Sequence, residues 1–276
     1  MLLRDNHLHR ALAVAPMIAL LLTSACGGEP GTDDVEGARV RDTHISFEDF
    51  MAGVYKEPDG VWIADGDTPF ETIEQLREFY ETHFMDGALA IMTSGGQDVR
   101  WNDSQKLNIT YCVSTTFGSK YSTVVSAMSS AAGAWEAACN VNFVHLSQYD
   151  SNCNFKQSNV VFDVRPVHSG QYLARAFFPN SSRKNRNVLV DDTAFLYGNA
   201  PSVTGVLRHE LGHTLGWRHE HTRPEAGTCF EDNNWRALTP YDSDSVMHYP
   251  QCNGTGNWSL TLTQDDKTGA ASVYGP

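Results

Sequence analysis

The stretch HELGHTLGWRH, which begins at His209, constrains the fold more than any other part of the chain. On an α-helix, residues four apart lie on one face, so His209 and His213 can direct their imidazoles to one point, with Glu210 beside it. Gly216 follows where a helix needs a left-handed residue in order to end, and the turn lets His219 return to the same point. The sequence therefore predicts three histidines around one zinc ion and an adjacent general base.

A second motif follows in the chain. The segment SVMHYP, residues 245–250, resembles the Met-turn that metzincins place beneath their metal. Together with the complete pattern H-E-x-x-H-x-x-G-x-x-H, it makes the chain similar to the metzincin clan of zinc proteases. The resemblance implies an α+β fold with a mixed, mostly parallel twisted sheet backed by two long helices. It also implies a small C-terminal subdomain that holds the Met-turn and a terminal helix.

Finer likenesses point to more than one metzincin family. The segments HEHTRPE (219–225) and SVMHY resemble the astacins, whereas YLARAFFP (172–179) and the C-terminal LTQDDKTGAASVYG (262–275) are similar to the matrixins. The part from 105 to 276 most resembles the bacterial dual-action HEIGH metallopeptidases, which are exported and have astacin-like site motifs. The one departure in the motif is Leu211, where that family has isoleucine, and it does not touch a ligand.

The resemblance implies a role for each site residue. His209, His213 and His219 would hold one catalytic zinc ion, which lowers the pKa of a water that it binds. Glu210 would take the proton of that water and deliver it to the leaving amine. Tyr249 matches the astacin tyrosine that can ligate zinc and then swing away to help the oxyanion; a core tyrosine in a turn is the alternative.

The other polar residues near these motifs are expected to have structural roles. Met247 would pack beneath the ligands and bind nothing, because a thioether is too soft to be a preferred zinc ligand. His221 is expected to lie beside the ligands or at the surface, and His248 is interpreted as structural. Glu220 is expected to make a buried ion pair or hydrogen bond, with Arg223 as a nearby partner.

The segment 171–179 is a candidate for substrate binding. If it forms the edge strand above the cleft, an extended peptide could pair with its main chain, which predicts broad recognition of protein and peptide substrates. An ordinary buried sheet edge is the alternative, and the matrixin likeness favours the cleft. The residues of the predicted strand are Leu173, Ala174, Arg175, Ala176 and Phe177.

Hydrophobic patterning places regular elements on both sides of these motifs. Spacing of three and four predicts an amphipathic helix over 122–139, and a capped helix is predicted over 262–275. Strands are predicted at 107–113, 141–146, 159–167, 171–179 and 187–192. This order favours a mixed, largely parallel sheet backed by helices.

The N-terminal hundred residues divide into three parts. Residues 1–25 are typical of a signal peptide, and the small residues before Cys26 resemble a bacterial lipoprotein signal, with ordinary secretion as the alternative. Residues 26–45 are predicted to form an acidic tether, and 46–100 a pro-like segment that packs on a catalytic domain of residues 101–276. Within it a helix is predicted to start at Thr68, with Pro69 in its first position.

The remaining cysteines suit an oxidising compartment, where two disulfides and one free thiol are expected. Strand order favours Cys112–Cys153, with Cys139 a buried thiol, and Cys229–Cys252 would clasp the segment around the Met-turn. Since Cys26 is the only cysteine upstream of the catalytic part, a cysteine switch is nearly excluded.

An aspartate could cover the metal instead. Asp65 or Asp67 matches the aspartate that does so in astacin propeptides, and two ordinary turn aspartates are the alternative.

The formal net charge of −13 argues against nucleic-acid binding, and a monomer with no membrane contact beyond a lipid at Cys26 is expected. Two rivals to a zinc endopeptidase stay open: a surface binding protein with structural zinc, and an amidase that acts on cell-wall peptides.

Overall fold

The fold is described from a computed structural model. The described residues are 51, 53–64, 66–81, 90–197, 201–256 and 258–276. The predicted signal peptide, the tether, Cys26 and Asp65 lie outside them.

Four α-helices have their bounds within the described residues. They are α1 (Ile73–Glu81), α2 (Tyr121–Glu136), α3 (Val203–Thr214) and α4 (Gln264–Tyr274). The strands of the same residues are β1 (Tyr55–Lys56), β2 (Trp62–Ala64), β3 (Thr68–Phe70), β4 (Ala90–Ser94), β5 (Gln97–Asp98), β6 (Ile109–Val113), β7 (Phe143–His145), β8 (Phe162–Val167), β9 (Ala174–Arg175), β10 (Asn187–Asp191) and β11 (Trp235–Ala237).

Five strands form the central sheet in the order β7-β6-β8-β10-β9. The first three pairings are parallel, and only β9 runs antiparallel to its neighbour β10. The sheet is therefore mixed and mostly parallel, which confirms the predicted α+β class. It also places β9 at the edge of the sheet.

Helices α2 and α3 pack against each other and cover one face of the central sheet. Trp135 of α2 is fully buried between them, and its Nε1 donates to the carbonyl of Arg208 at 2.9 Å. Val124, Met128 and Leu211 lie in the same core, as their helical spacing predicts. This packing fixes the helix that carries the first two histidines.

The N-terminal segment forms a small sheet of β1, β2 and β3. The prediction that a helix starts at Thr68 is wrong, because Thr68 and Pro69 belong to β3, where Pro69 pairs with Ile63 of β2. Thr68 is completely buried in this hairpin, and helix α1 begins only after Thr72, whose Oγ1 accepts from the backbone N–H of Gln75 at 3.1 Å. Proline is tolerated both in the first turn of a helix and in an edge strand. Pro69 therefore does not distinguish a helix start from a short edge strand.

Strand β4 belongs to a third sheet, in which it pairs with β11 and β5. It also hydrogen-bonds to the turn that follows α3: the N–H of Met92 donates to the carbonyl of Gly216 at 2.8 Å, and that of Arg218 to the carbonyl of Ala90 at 2.7 Å. Residues 90–98 are thus built into the structure around the last predicted ligand.

Two disulfides lie within the described residues, Cys112–Cys153 and Cys229–Cys252, which are the pairings that the sequence favours. Cys139 is a buried free thiol. Disulfides of this kind suit an oxidising, extracytoplasmic compartment. Among the described residues, no helix has both the length and the apolarity needed to cross a membrane.

Candidate active site

Helix α3 presents the first two histidines. It starts at a Ser202 cap, whose Oγ accepts from the N–H of Gly205 at 3.0 Å, and it ends just before Gly216. Gly216 has a φ of +104°, and a Cβ on it would lie 2.2 Å from the carbonyl oxygen of Val99. Only glycine fits this turn, both for its backbone conformation and for its close contact with the neighbouring chain. The turn lets His219 face α3.

The three imidazoles converge on one point, as predicted. The Nε2 atom of His219 lies 3.2 Å from the Nε2 of His209 and 3.2 Å from that of His213. On the far side of the rings, Nδ1 of His209 lies 2.7 Å from the carbonyl of Val246, and Nδ1 of His213 lies 2.8 Å from that of Trp217. Since a carbonyl only accepts, both Nδ1 atoms carry the proton and both Nε2 lone pairs are directed inward.

Glu231 supports the third histidine. Its Oε1 accepts from Nδ1 of His219 and lies 3.0 Å from Nε2 of His221, and its Oε2 accepts from Nη2 of Arg218 at 2.8 Å. His221 is therefore buried beside a ligand rather than at the surface. Sequence reasoning missed Glu231, because no spacing rule links the last histidine to an acid in the following loop.

Glu210 lies completely buried next to the three histidines. Neither of its carboxylate oxygens has a hydrogen-bond partner among the described residues. Burial raises the pKa of Glu210 well above its ordinary value, and the negative charge of Asp67 raises it further. A buried carboxylate with unused acceptor atoms and a raised pKa suits a group that exchanges a proton with water at this place.

Asp67 of the N-terminal segment fills the centre of the site. Its Oδ1 lies 3.1 Å from Nε2 of His219 and 3.6 Å from Nε2 of His213, and its Oδ2 lies 3.5 Å from Nε2 of His209. These four residues form one group with the spacing of a metal site, and all four are buried. Of the two interpretations that the sequence left open, the structure places Asp67 at the metal position rather than in a solvated turn.

The Met-turn lies beneath the histidines. Met247 is fully buried against α3, where a Cβ on Gly212 would lie 2.4 Å from its Sδ. The hydroxyl of Tyr249 donates to Oδ2 of Asp67 at 2.6 Å, and its ring centroid lies 4.5 Å from that of His219. Burial and then the charge of Asp67 raise the pKa of Tyr249. The sequence-predicted tyrosine thus faces the metal position.

An acid of the terminal helix holds the Met-turn in place. Oδ1 of Asp266 accepts from the hydroxyl of Ser245 at 2.5 Å, and its Oδ2 accepts from the N–H of Val246 at 2.9 Å. The same carboxylate caps α4 together with Thr263. The capping residues were recognisable in the sequence, whereas the contact with the Met-turn was not.

Three further residues have the structural contacts expected of them. Glu220 forms a buried ion pair with Arg223 and accepts from the N–H of Asp242 at 3.0 Å. Nε2 of His248 lies 2.8 Å from the hydroxyl of Tyr241. These contacts fix the loop that returns from the third histidine.

The predicted substrate strand is shorter than expected. Of the residues from Leu173 to Phe177, only Ala174 and Arg175 form β9, and all five are buried. Arg175 forms a buried ion pair with Glu57 of the N-terminal segment, and the Tyr172 hydroxyl donates to the same carboxylate. The N-terminal segment therefore lies over the residues of this sheet edge.

The chain is similar to known proteins over part of its length. A family model described as matrixin matches residues 100–226. Human tolloid-like protein 1 is 30% identical over 134 residues, which cover 42% of this chain and 11% of that protein. Astacin-like metalloprotease toxin 2 of Loxosceles intermedia is 36% identical over 76 residues, which cover 21% of this chain and 30% of the toxin. The chain thus spans less than a third of the length of either relative.

Among solved structures, that of myroilysin superposes with a TM-score of 0.48 at 16% identity, covering 68% of this chain and 98% of that one.

The donor set fits zinc. Three inward imidazole nitrogens are the ligands that catalytic zinc sites use, and the unpaired carboxylate of Glu210 leaves an acceptor for a water beside them. The matrixin match, the astacin-like relatives and this site make the chain similar to the metzincin zinc metallopeptidases. It combines a match to the matrixin family model with similarity to astacin-like proteins.

Proposed function

We propose that the chain is a zinc-dependent endopeptidase that hydrolyses peptide bonds in proteins. The observation that carries this proposal is the convergence of three Nε2 atoms next to a buried Glu210 whose oxygens have no other partner among the described residues. A purely structural zinc site would be closed by a fourth ligand and would have no use for such a carboxylate.

His209, His213 and His219 would hold the zinc, which when bound activates water and polarises the scissile carbonyl. Glu210 takes a proton from the attacking water and later gives it to the leaving amine, with carboxylate oxygens that have no other partner among the described residues. The Tyr249 hydroxyl, once released from Asp67, is a donor for the developing oxyanion.

The substitution Glu210→Gln tests the assignment. It keeps the volume of the side chain and removes the base, so hydrolysis of casein and of a peptide library should fall by about 10²–10⁴-fold. Zinc content should stay at that of the wild type. The exposed Glu225 lies in the neighbouring loop, and Glu225→Gln is the matched control that should leave hydrolysis unchanged. A zinc-loaded wild type, freed of its N-terminal segment, that cleaves no substrate would contradict the proposal.

The N-terminal segment is part of the proposal. Residues 46–100 are assigned as a pro-like segment on a catalytic domain of residues 101–276, and Asp67 keeps the enzyme latent by occupying the place where water and substrate must enter. Support comes from the contacts of Asp67 with all three histidines and from the buried pair of Glu57 with Arg175.

The substrate is proposed to bind along β9. Once the part of the N-terminal segment that holds Glu57 and Asp67 leaves, an extended peptide can pair with the main chain of β9 at the sheet edge. Recognition by backbone contacts favours cleavage of many sequences. Digestion of a proteome-derived peptide library, followed by sequencing of the cleaved ends, measures this breadth.

The protein is proposed to be exported as a monomeric lipoprotein. The apolar run of residues 1–25, with small residues before Cys26, supports a lipid on that cysteine, and residues 26–45 would tether the enzyme to the cell envelope. Labelling with a fatty-acid analogue tests the assignment: wild type should be labelled and Cys26→Ser should not.

A further inference from the structure

The side chain of Glu231 makes contacts beyond those needed to hold its own loop in place. It lies between Cys229 and β11, it is 3% exposed, and its carboxylate meets three buried side chains. Oε1 faces both His219 and His221, and Oε2 accepts from Arg218 at 2.8 Å. Two of the three donors therefore sit at or beside the zinc site.

The hydrogen bonds fix where the protons lie on both rings. Nδ1 of His221 accepts from the backbone N–H of Tyr249 at 3.1 Å, so its Nε2 carries the proton and donates to Glu231 at 3.0 Å. His219 has Nε2 directed at the zinc position, so its proton is on Nδ1, which also donates to Glu231. One carboxylate oxygen thus selects the tautomers of two histidines.

His219, the third predicted ligand, depends more than the other two on a carboxylate partner. His209 and His213 stand on α3, and their outer nitrogens are held by backbone carbonyls. His219 lies beyond the glycine turn, outside α3, where no helix holds its ring. A carboxylate on the outer nitrogen orients a ligating imidazole and increases its basicity.

We propose that Glu231 is the positioning residue of the zinc site. It orients His219 directly and, through His221, holds the backbone of Tyr249 in the Met-turn. This inference rests on the zinc site of the proposed function and does not depend on which substrate is cleaved.

Asp232 provides a matched control. Its Oδ2 pairs with the same Nη2 atom of Arg218 at 2.7 Å, and it is equally buried, yet none of its polar contacts among the described residues is with a histidine. Loss of either carboxylate disturbs Arg218, but only loss of Glu231 removes the acceptor from His219. The two substitutions therefore separate positioning of the ligand from support of the loop.

The experiment compares full-length wild type, Glu231→Gln and Asp232→Asn. Zinc affinity is measured by competition with a chromogenic chelator, the ligand field by the visible absorption of the cobalt-substituted protein, and stability by thermal unfolding without metal. Glu231→Gln should weaken zinc binding about 10–100-fold and shift the cobalt bands. Asp232→Asn should lower the melting temperature while its zinc affinity stays within about threefold of wild type, less than the loss expected at a ligand-supporting residue.

Two results overturn the proposal. One is a zinc affinity of Glu231→Gln within about threefold of wild type, and the other is an equal loss in Asp232→Asn. If Glu231→Gln does not fold, nitrogen NMR of histidine-labelled, zinc-loaded wild type decides: Nδ1 of His219 should carry a slowly exchanging proton, and an unprotonated Nδ1 refutes the assignment. Wild type that binds zinc but cleaves nothing after removal of its N-terminal segment would contradict only the proposed function.

Discussion

The hydroxyl of Tyr249 donates a 2.6 Å hydrogen bond to Asp67, a residue 182 positions earlier in the chain. Both residues are buried, and the same carboxylate faces the inner nitrogens of all three histidines. The tyrosine that the proposed mechanism uses for the oxyanion is therefore engaged by the segment proposed to keep the enzyme latent. Removal of Asp67 should free the zinc position and the tyrosine together.

Asp67→Ala should activate the full-length protein. Losing one partner of a buried charged pair costs about 3–5 kcal/mol, which corresponds to roughly a 100-fold or greater weakening of the segment's hold on the site. Peptide hydrolysis by full-length Asp67→Ala should therefore exceed that of wild type by about 100-fold, a ratio set by the same free energy. The measurement is kcat/KM on a fluorogenic peptide after zinc loading.

Asp59→Asn is the control for this substitution. Asp59 lies in the same segment, in an exposed turn away from the histidines, and its replacement should leave the latency unchanged. If Asp67→Ala stays as inactive as wild type while proteolytic removal of the segment gives activity, the segment blocks the cleft by bulk and not through Asp67.

Glu57→Gln should loosen the N-terminal segment. The Glu57 carboxylate pairs with the guanidinium of Arg175, whose side chain is 0% exposed, and Nη1 of Arg175 donates to Asn187 at 2.7 Å. Leaving that guanidinium buried without its anion costs about 3–5 kcal/mol. Limited proteolysis of the segment should therefore become faster in Glu57→Gln, and the latent enzyme should show higher basal hydrolysis.

The matched variant is Glu71→Gln. Glu71 also joins the segment to the catalytic part, since its Oε1 accepts from the N–H of Ser182 at 2.7 Å, but this contact is exposed. An exposed hydrogen bond adds little net stability, so proteolysis of Glu71→Gln should resemble that of wild type. Equal acceleration in both variants would show that burial of the Glu57 pair is unimportant.

The sequence predicted the zinc ligands because their spacing is a property of one helix and one glycine turn. His209, His213 and Gly216 are local in the chain, and a periodicity argument places them correctly. The contacts of Glu231 with His219 and of Asp67 with Tyr249 depend on how separate elements pack, which no local spacing records. The Thr68 error has the same origin, since pairing of β3 with β2 overrides the helix-start signal.

The stability of the metal-free protein should depend on pH through His221. Burial lowers the pKa of His221 to about 4, against 6.5 for the ordinary residue. The unfolded chain then binds more protons than the folded one between these values, so the stabilising contribution is full above pH 6.5 and is lost as the pH falls towards 4. For this one group, the free energy of unfolding changes by at most about 1.4 kcal/mol per pH unit.

Urea unfolding of full-length protein in a chelator measures this slope. The free energy of unfolding should fall less steeply between pH 6.5 and 5 in His221→Gln than in wild type. The exposed His168, which pairs with Asp192 at the surface, offers the control, and His168→Gln should keep the wild-type slope. Identical slopes in all three proteins would mean that protonation of His221 does not destabilise the folded protein.

Gly216→Ala should damage both the fold and the zinc site. An alanine at a φ of +104° is strained, and its Cβ would lie 2.2 Å from the carbonyl oxygen of Val99, on backbone that cannot rotate away. The loss of unfolding free energy should be about 3 kcal/mol or more, and zinc affinity should fall because His219 follows the displaced turn.

Gly133→Ala is the control, because Gly133 lies on the exposed side of α2 with no atom near its Cβ position. That variant should be about 0.5–1 kcal/mol more stable, as alanine favours helix, with unchanged zinc affinity. If Gly216→Ala binds zinc as tightly as wild type, the turn does not place the third ligand.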